Sequence, residues 1–425
     1  MLQNKEKQNI PKEWIYKSIG EFCEVINGST PKSQVAKYWN GEIVWATPND
    51  VRDSNIFISD SERKITREGL KSIGDRSVPE NSIVISTRAP IGYVGVTKQQ
   101  TAFNQGCKGI MSNSSHPVFL YYSMLNDGQK LKKMGAGSTF PELSAGDLKK
   151  HSLLLPPLKE QQKIVEVLGA VDEEIEKTKE VIKATEKLKK GLMQQLFTRG
   201  IGHTKFKQTE LGEIPESWEV IKIQELIDGK IILENQDGNH GGDHPKSKEY
   251  VDEGIPFISA ADVRHGRVDL EGCHFLPRER TDKLRIGFAK EGDVLLTHKG
   301  SVGNVAVVPK TKYTYLMLTP QVTYFRTDSK RIANTYLAYL FESPGFQRSL
   351  KAAARQSTRD FLSITNQRQL KIAFTSVVSE QKEIAEILSA VDKKISVNKK
   401  LLTKQTELKK GLMQDLLSGV KRVKV

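Results

Sequence analysis

Two stretches of the chain are clearly similar in sequence: EQQKIVEVLGAVDEEIEKTKEVIKATEKLKKGLMQQL at residues 160–196 and EQKEIAEILSAVDKKISVNKKLLTKQTELKKGLMQDL at 380–416. They align without a gap at an offset of 220 residues, and 18 of 37 positions are identical. Weaker matches precede each copy, such as SIVISTRAPIG at 82–92 and DVLLTHKGSVG at 293–303. The chain is therefore an internal repeat, in the order globular segment, helix, globular segment, helix.

Both copies carry apolar residues at alternating spacings of four and three, which is typical of a helix with a heptad seam. The spacing slips near residues 183–188 and 403–408. We predict that the seam consists of Ile164, Leu168, Val171, Ile175, Leu188 and Leu192 in the first helix, and of Ile384, Leu388, Val391, Ile395, Leu408 and Leu412 in the second. Each helix could bury this seam on its own globular segment. We favour the alternative, in which the two helices pack on each other.

The loop between the helices is long enough to permit either direction of pairing. Matching the polar seam residues Thr178 and Asn398 favours an antiparallel pair. That alignment places the acidic residues 172–176 opposite Lys400 and Lys404.

The remaining sequence has short apolar runs broken by Gly, Pro, Asn and Asp, which indicates strands and turns with a few short helices. The predicted fold class is α+β, with two similar globular domains joined by two long helices that form an antiparallel coiled coil with an approximate two-fold axis. The expected boundaries are 1–156 and 201–377 for the domains, and 157–200 and 378–425 for the spacer helices.

Composition narrows the class of protein. The chain has 425 residues and a formal net charge of +14, which favours a polyanionic partner such as nucleic acid. The three cysteines are far apart in sequence, which argues against a disulfide framework and a structural zinc site. The polar N-terminal sequence and the absence of 18 consecutive apolar residues predict a cytoplasmic protein that is neither secreted nor membrane-spanning.

Catalytic motifs are scarce. The sequence contains neither a phosphate-binding G-x-x-x-x-G-K-[ST] loop nor a GxGxxG motif after a strand. We therefore expect no catalytic residues, no metal site and no cofactor in this chain. One alternative is a DNA endonuclease, because Asp50, Glu62 and Lys64 have the residue types of a metal-dependent nuclease. The second half lacks this pattern around Asp262.

Polar and basic residues recur in turns at matching points of the repeat. Arg, Lys, Asn, Gln, Ser and Thr are the side chains that read base edges and hold phosphates. The predicted DNA-binding residues are Thr87, Arg88, Tyr93, Asn104, Gln105, Ser138 and Thr139 in the first half, and His298, Lys299, Asn304, Gln321, Ser357, Thr358 and Arg359 in the second. Their different identities at equivalent places favour one scaffold that reads two different short sequences.

This organisation resembles the specificity subunit of type I restriction-modification systems. The resemblance covers essentially the whole chain and rests on Glu160-Gln161 with the LKKGLM sequence at 188–193, on their repeats at 380–381 and 408–413, and on TELGEIPESW at 209–218. It implies two target-recognition domains that each read half of a bipartite site in double-stranded DNA, and an antiparallel coiled coil that acts as a ruler.

The resemblance also implies partners: two methyltransferase subunits docked on the helices, and motor–nuclease subunits that join them. S-adenosylmethionine, ATP and Mg²⁺ would then belong to those partners. A coiled-coil scaffold that binds RNA or acidic proteins without reading sequence is a further alternative.

Overall fold

The computed structural model describes residues 10–88, 90–135, 141–264, 266–355 and 361–424. The chain divides into two compact units. Unit 1 consists of Met1–Lys179 and Lys400–Val425, and unit 2 of Glu180–Lys399. Each unit therefore contains one globular segment and parts of both long helices.

Short elements alternate along the globular part of unit 1. Its strands are β1 (Ile15–Ser18), β2 (Cys23–Asn27), β3 (Trp39–Ala46), β4 (Phe57–Ile58), β5 (Lys64–Ile65), β6 (Ser77–Val78), β7 (Ile83–Ser86), β8 (Val94–Thr97), β9 (Thr101–Phe103), β10 (Cys107–Ser112) and β11 (Ser152–Leu155). Its helices are α1 (Ile19–Phe22), α2 (Pro48–Asp53), α3 (Arg67–Ser72), α4 (Pro117–Asn126), α5 (Gly128–Met134) and α6 (Ala145–Lys150), and α7 (Leu158–Arg199) begins here.

Unit 2 repeats this plan. Its strands are β12 (Phe206–Thr209), β13 (Gly212–Pro215), β14 (Glu219–Lys222), β15 (Ile232–Gln236), β16 (Ile255–Ile258), β17 (Val263–Arg264), β18 (Arg267–Val268), β19 (His274–Leu276), β20 (Phe288–Ala289), β21 (Val294–Thr297), β22 (Val305–Val307), β23 (Leu316–Leu318), β24 (Val322–Thr327) and β25 (Lys371–Phe374). Its helices are α8 (Ile223–Asp228), α9 (Arg278–Thr281), α10 (Asn334–Glu342), α11 (Pro344–Ala354) and α12 (Ile364–Arg368), followed by α13 (Val378–Leu417).

The sheets of the two units have the same topology. Strand order β2-β10-β7-β8 in unit 1, extended by β4, corresponds to β15-β24-β21-β22 in unit 2. A second sheet has the order β5-β3-β9-β6 in unit 1 and β19-β16-β23-β20 in unit 2. In both, the central pair is parallel and the flanking pairs are antiparallel. The predicted α+β class is confirmed, and the two halves share one fold despite their divergent sequences.

The long helices α7 and α13 pack together and run antiparallel. In unit 1, Ile164 and Leu168 lie in one apolar cluster with Met413 and Leu416. In unit 2, Met193 and Leu196 share a cluster with Ile384 and Leu388 in the same way. These clusters also contain Phe119 of α4 and Tyr336 of α10, respectively. The helices therefore bury their seams on each other and on the globular segments together.

The predicted register is wrong by five residues. Lys409 Nζ lies 2.6 Å from Asp172 Oδ1 in unit 1, and Lys189 Nζ lies 2.8 Å from Asp392 Oδ1 in unit 2. Asp172 was expected to face Lys404 instead. These half-buried ion pairs set the register, because a carboxylate left without a partner at these positions would cost free energy. The predicted pairing of Thr178 with Asn398 does not fix the register, because both side chains donate to backbone carbonyls of their own helix.

The predicted seam is also wrong at Leu188 and Leu408, whose side chains are 54% and 55% exposed. The other predicted seam residues are buried or half-buried. Beyond Ile182 the seam continues through Thr185, Lys189 and Met193. A lysine can occupy such a position because its aliphatic stem packs against apolar neighbours while its ammonium group reaches an acid.

The Glu-Gln pair at the start of each long helix anchors that helix to its unit. Glu160 accepts a hydrogen bond from the Trp14 indole at 3.0 Å, and Glu380 accepts one from Trp218 at 3.2 Å. Gln161 accepts from the backbone N–H of His116 just before α4 (2.9 Å), and Gln381 does the same at the start of α10 (3.0 Å). The similar segments IPKEW at 10–14 and IPESW at 214–218 therefore supply the indoles that hold the helix starts.

A Tyr-Asp-Lys contact also fastens each unit to both helices. Tyr122 of α4 donates to Asp172 at 2.7 Å, and Asp172 pairs with Lys409. In unit 2, Tyr339 of α10 donates to Asp392 at 2.9 Å, and Asp392 pairs with Lys189. The same three residue types thus occur in both units, with α7 and α13 exchanging the roles of acid and base.

Candidate nucleic-acid interface

The turn after β7 and the turn after β21 have the same backbone geometry. The Ser86 hydroxyl accepts from the Tyr93 N–H at 2.9 Å, and the Thr297 hydroxyl accepts from Asn304 at 2.9 Å. The same two hydroxyls donate to backbone carbonyls within their turns. Gly92 and Gly303 both have φ of 98°, a backbone conformation that favours glycine. One frame therefore presents two different sequences.

Two further segments meet each turn. In unit 1, the Thr87 N–H donates to Gly106 O at 2.7 Å, and the Leu143 N–H donates to Thr87 O at 2.8 Å. In unit 2, the His298 N–H donates to Gln321 O at 2.9 Å, and Leu362 donates to His298 O at 3.0 Å. The structure thus brings together, within each unit, predicted binding residues that are far apart in sequence.

The predicted residues of unit 1 differ in how accessible they are. Arg88 is exposed, and its Nε lies 3.1 Å from Glu142 Oε2. Gln105 is also exposed and accepts a hydrogen bond from Thr30. Asn104 and Tyr93 are half-buried, and the Asn104 side chain accepts from the Gly106 N–H at 2.9 Å.

Thr87 is buried, so its position is structural and it does not present its hydroxyl to a base. The buried ammonium group of Lys108 lies 3.4 Å from that hydroxyl. Sequence reasoning missed Glu142, Thr30 and Lys108. The sequences STFPEL at 138–143 and STRDFL at 357–362 share Ser, Thr and Leu, and this match could have pointed to Glu142.

In unit 2, Lys299 is exposed and its ammonium group lies 5.8 Å from the centre of the Phe361 ring. Asn304 and Gln321 are half-buried, and the Gln321 side chain accepts from the Ala260 N–H at 3.3 Å. The sequence did not single out Phe361. The predicted residues Ser138, Thr139, Ser357, Thr358 and Arg359 lie outside the described residues.

His298 is fully buried, which its prediction as a base-reading residue did not anticipate. Its two ring nitrogens have no hydrogen-bond partner. Burial lowers the pKa of His298 to about 4, although Asp237 nearby opposes the shift. The ring is therefore neutral at physiological pH, and it packs beside Phe361.

The structure does not assemble the nuclease site of the alternative hypothesis. Asp50 caps its own helix: one carboxylate oxygen accepts from the Thr47 N–H at 2.8 Å, and the other accepts from the Glu62 N–H at 2.8 Å. Lys64 pairs with Asp60 at 3.0 Å. Across the described ranges, no group of three or more His, Cys, Asp or Glu side chains is placed to hold a metal ion.

The three cysteines Cys23, Cys107 and Cys273 are free thiols. Burial raises the pKa of Cys23 and Cys273 to about 11 and that of Cys107 to about 12. Along the described part of the chain, no helix combines the length and apolar character needed to cross a membrane.

A family model described as the type I restriction modification DNA specificity domain matches residues 11–185 and again 215–407. The chain belongs to this family. The two matches correspond to the two halves of the repeat, so the chain contains two specificity domains.

Similar proteins carry the same description. The chain is 31% identical over 303 residues to the type I restriction enzyme MjaIX specificity subunit of Methanocaldococcus jannaschii, covering 68% of this chain and 67% of that one. It is 27% identical to the MjaVIII specificity subunit of the same organism, covering 98% and 94%. The crystal structure of an S subunit from M. genitalium has the same fold, with a TM-score of 0.57, 16% identity and 97% coverage of both chains.

Membership in this family makes the chain a DNA-specificity subunit and assigns it to recognition rather than catalysis. The endonuclease alternative is not supported, because the family has another role and Asp50 is committed to a helix cap. The specificity subunit thus presents one turn cluster in each unit as its candidate nucleic-acid interface.

Proposed function

We propose that this specificity subunit reads a bipartite site in double-stranded DNA, with one half-site for each unit. The observation that carries the proposal is the pair of matched turns, which share their backbone hydrogen bonds but present Arg88 in unit 1 and Lys299 in unit 2. A common frame with different exposed side chains is what two related readers of different sequences require. The basic net charge supplies the attraction to phosphates that such readers need.

We further propose that two methyltransferase subunits dock on the long helices and that motor–nuclease subunits join the complex in the cytoplasm. The exposed leucines Leu188 and Leu408 support this docking, since they occupy equivalent positions of the repeat. Val181 and Leu401 form a second equivalent pair of exposed apolar residues one heptad earlier. Apolar side chains repeated in this way suit two identical partners. S-adenosylmethionine, ATP and Mg²⁺ would be held by those partners.

The test of DNA reading is to map methylated positions in the host genome with the gene present and deleted. We expect a bipartite motif that disappears with the gene. Arg88→Ala should relax one half of that motif and Lys299→Ala the other, with Lys12→Ala, an exposed lysine that belongs to neither turn, as the control. Loss of the same half in both variants would contradict the assignment of one half-site to each unit.

The test of docking is the mass of the complex formed with the methyltransferase. Leu188→Asp should remove one methyltransferase copy, and the double variant with Leu408→Asp should remove both. Lys190→Ser and Lys410→Ser, which change exposed neighbours on the same helices, serve as controls. Full occupancy in the double leucine variant would rule out this docking surface.

A further inference from the structure

The residue that faces the turn cation differs between the two units. An antiparallel backbone bridge joins Arg88 to Glu142 in unit 1, and an equivalent bridge joins Lys299 to Phe361 in unit 2. Each of these partners directly precedes the leucine that bonds to the turn, Leu143 or Leu362. Position 142 of unit 1 and position 361 of unit 2 are therefore structurally equivalent, and an acid in one is an aromatic ring in the other.

Glu142 carries a negative charge on a surface proposed to bind a polyanion. Its side chain is 37% exposed and is held by two cations, Arg88 at 3.1 Å and Lys108 at 3.7 Å. The Lys108 side chain is only 5% exposed, so it cannot reach a phosphate and serves instead to hold the carboxylate. A carboxylate at this place repels the phosphates of the DNA backbone. A favourable contact between this carboxylate and DNA therefore requires a hydrogen-bond donor on the DNA, because the carboxylate can only accept.

Base edges in the major groove offer such a contact. Cytosine presents its N4 amino group as a donor, and a carboxylate accepts from it. The guanine of the same base pair presents O6 and N7, to which an arginine donates two hydrogen bonds. Arg88 and Glu142 lie side by side across the bridge, so one unit can offer both groups to one base pair.

We propose that Arg88 and Glu142 act together to select a G·C pair in the half-site read by unit 1. The inference rests on the proposed function and adds a specificity-determining residue to it. At the equivalent place in unit 2, Phe361 offers no acceptor, so Lys299 works there without this demand for cytosine. The two units thus share one backbone arrangement but present different residue pairs to DNA, Arg88 with Glu142 in unit 1 and Lys299 with Phe361 in unit 2.

The experiment is to co-express the chain with its methyltransferase partner and to sequence the methylated genome for wild type, Glu142→Gln and Arg88→Lys. The wild-type motif should contain a G·C pair at one fixed position of one half-site. Glu142→Gln should relax discrimination at that position by about 10- to 100-fold, because the amide both accepts and donates. Arg88→Lys should relax the same position and leave the other half-site unchanged. Phe361→Leu, the matched change in unit 2, should leave this position unaltered.

Several outcomes would overturn the inference. A wild-type motif without a fixed G·C pair in one of its halves would do so. Uniformly weaker methylation with an unchanged motif in Glu142→Gln would show that the ion pair only supports the turn, and thermal unfolding of the variant would reveal the stability it contributes. Selection of an A·T pair that Glu142→Gln relaxes would assign the carboxylate to adenine N6 instead. The absence of any gene-dependent bipartite motif would be a failure of the proposed function itself, which the wild-type map reveals separately.

Discussion

Replacing Lys189 by Met should destabilise unit 2 more than replacing Lys409 by Met destabilises unit 1. Lys409 serves one acid, Asp172, whereas Lys189 lies between Asp392 at 2.8 Å and Glu342 at 3.2 Å. Met keeps the packing of the stem and removes the charge. We expect a loss of about 2 kcal/mol in unit 1, the value of a charge-assisted hydrogen bond, and about 3 kcal/mol in unit 2, where two acids are left facing each other.

The assay is thermal unfolding combined with hydrogen exchange of peptides from each unit. For units of about 200 residues, these losses correspond to midpoint shifts of roughly 4–8 °C and 6–12 °C. Lys190→Met on α7 and Lys410→Met on α13, which change exposed neighbours of the two lysines, are the controls, and each should shift the midpoint by less than about 1 °C. A shift in Lys189→Met no larger than the shift in Lys409→Met would refute the reasoning.

The same variant has a predicted pH signature. Burial raises the pKa of Glu342 above its usual value, and Lys189 opposes that shift. A carboxyl whose pKa is higher in the folded state takes up a proton on folding, so its cost is absent at low pH and full above the raised pKa. Removal of Lys189 takes away a nearby positive charge, so the free-energy cost of keeping Glu342 ionised in the folded state increases. Lys189→Met should therefore recover stability relative to wild type as the pH falls from 7 to 5, and a constant difference would contradict this account.

Three further predictions concern other contacts. Because the pKa of His298 is lowered to about 4, unfolding takes up a proton at pH values between about 4 and the ordinary pKa of 6.5. The free energy of unfolding should therefore fall by up to about 3 kcal/mol as the pH drops through this range. In urea titrations, His298→Phe should flatten that part of the pH profile. Trp14→Phe and Trp218→Phe each remove an indole that donates to a glutamate, and each should lower the free energy of unfolding measured in denaturant by about 2 kcal/mol. A loss below about 0.5 kcal/mol would contradict the anchoring role of these indoles. Insertion of four residues into both long helices adds about 6 Å to each helix. In methylation maps, the gap between the half-sites should then lengthen by about two base pairs. An unchanged gap would refute the hypothesis that the helices act as a ruler.

Much of the architecture could be predicted from local pattern. The offset of 220 residues identified the duplication, and the spacing of four and three identified the helices, because both depend only on residues close in sequence or directly aligned. The turns at 82–92 and 293–303 were recognisable as equivalent for the same reason. Their shared hydrogen bonds follow from a hydroxyl before the turn and a glycine at its end.

The candidate interface depended on contacts between distant residues. Arg88 was predicted from its turn, but its partner Glu142 is 54 residues away along the chain. Thr87 and His298 occupy the same turns and are nevertheless buried, since other segments bond across them. Periodicity alone also misplaced Leu188, because it gave no reason to put Lys189 in the seam.

The sequence by itself determined that this chain is a duplicated α+β protein with two long amphipathic helices, since repetition and heptad spacing are properties of the linear chain. Only the tertiary structure decided which residues of those helices meet and which turn residues reach solvent. The physical reason is that both depend on the pairing of charges and hydrogen bonds between segments far apart in sequence. Asp172 with Lys409 and Lys189 with Asp392 set the register, and no local pattern encodes those pairs.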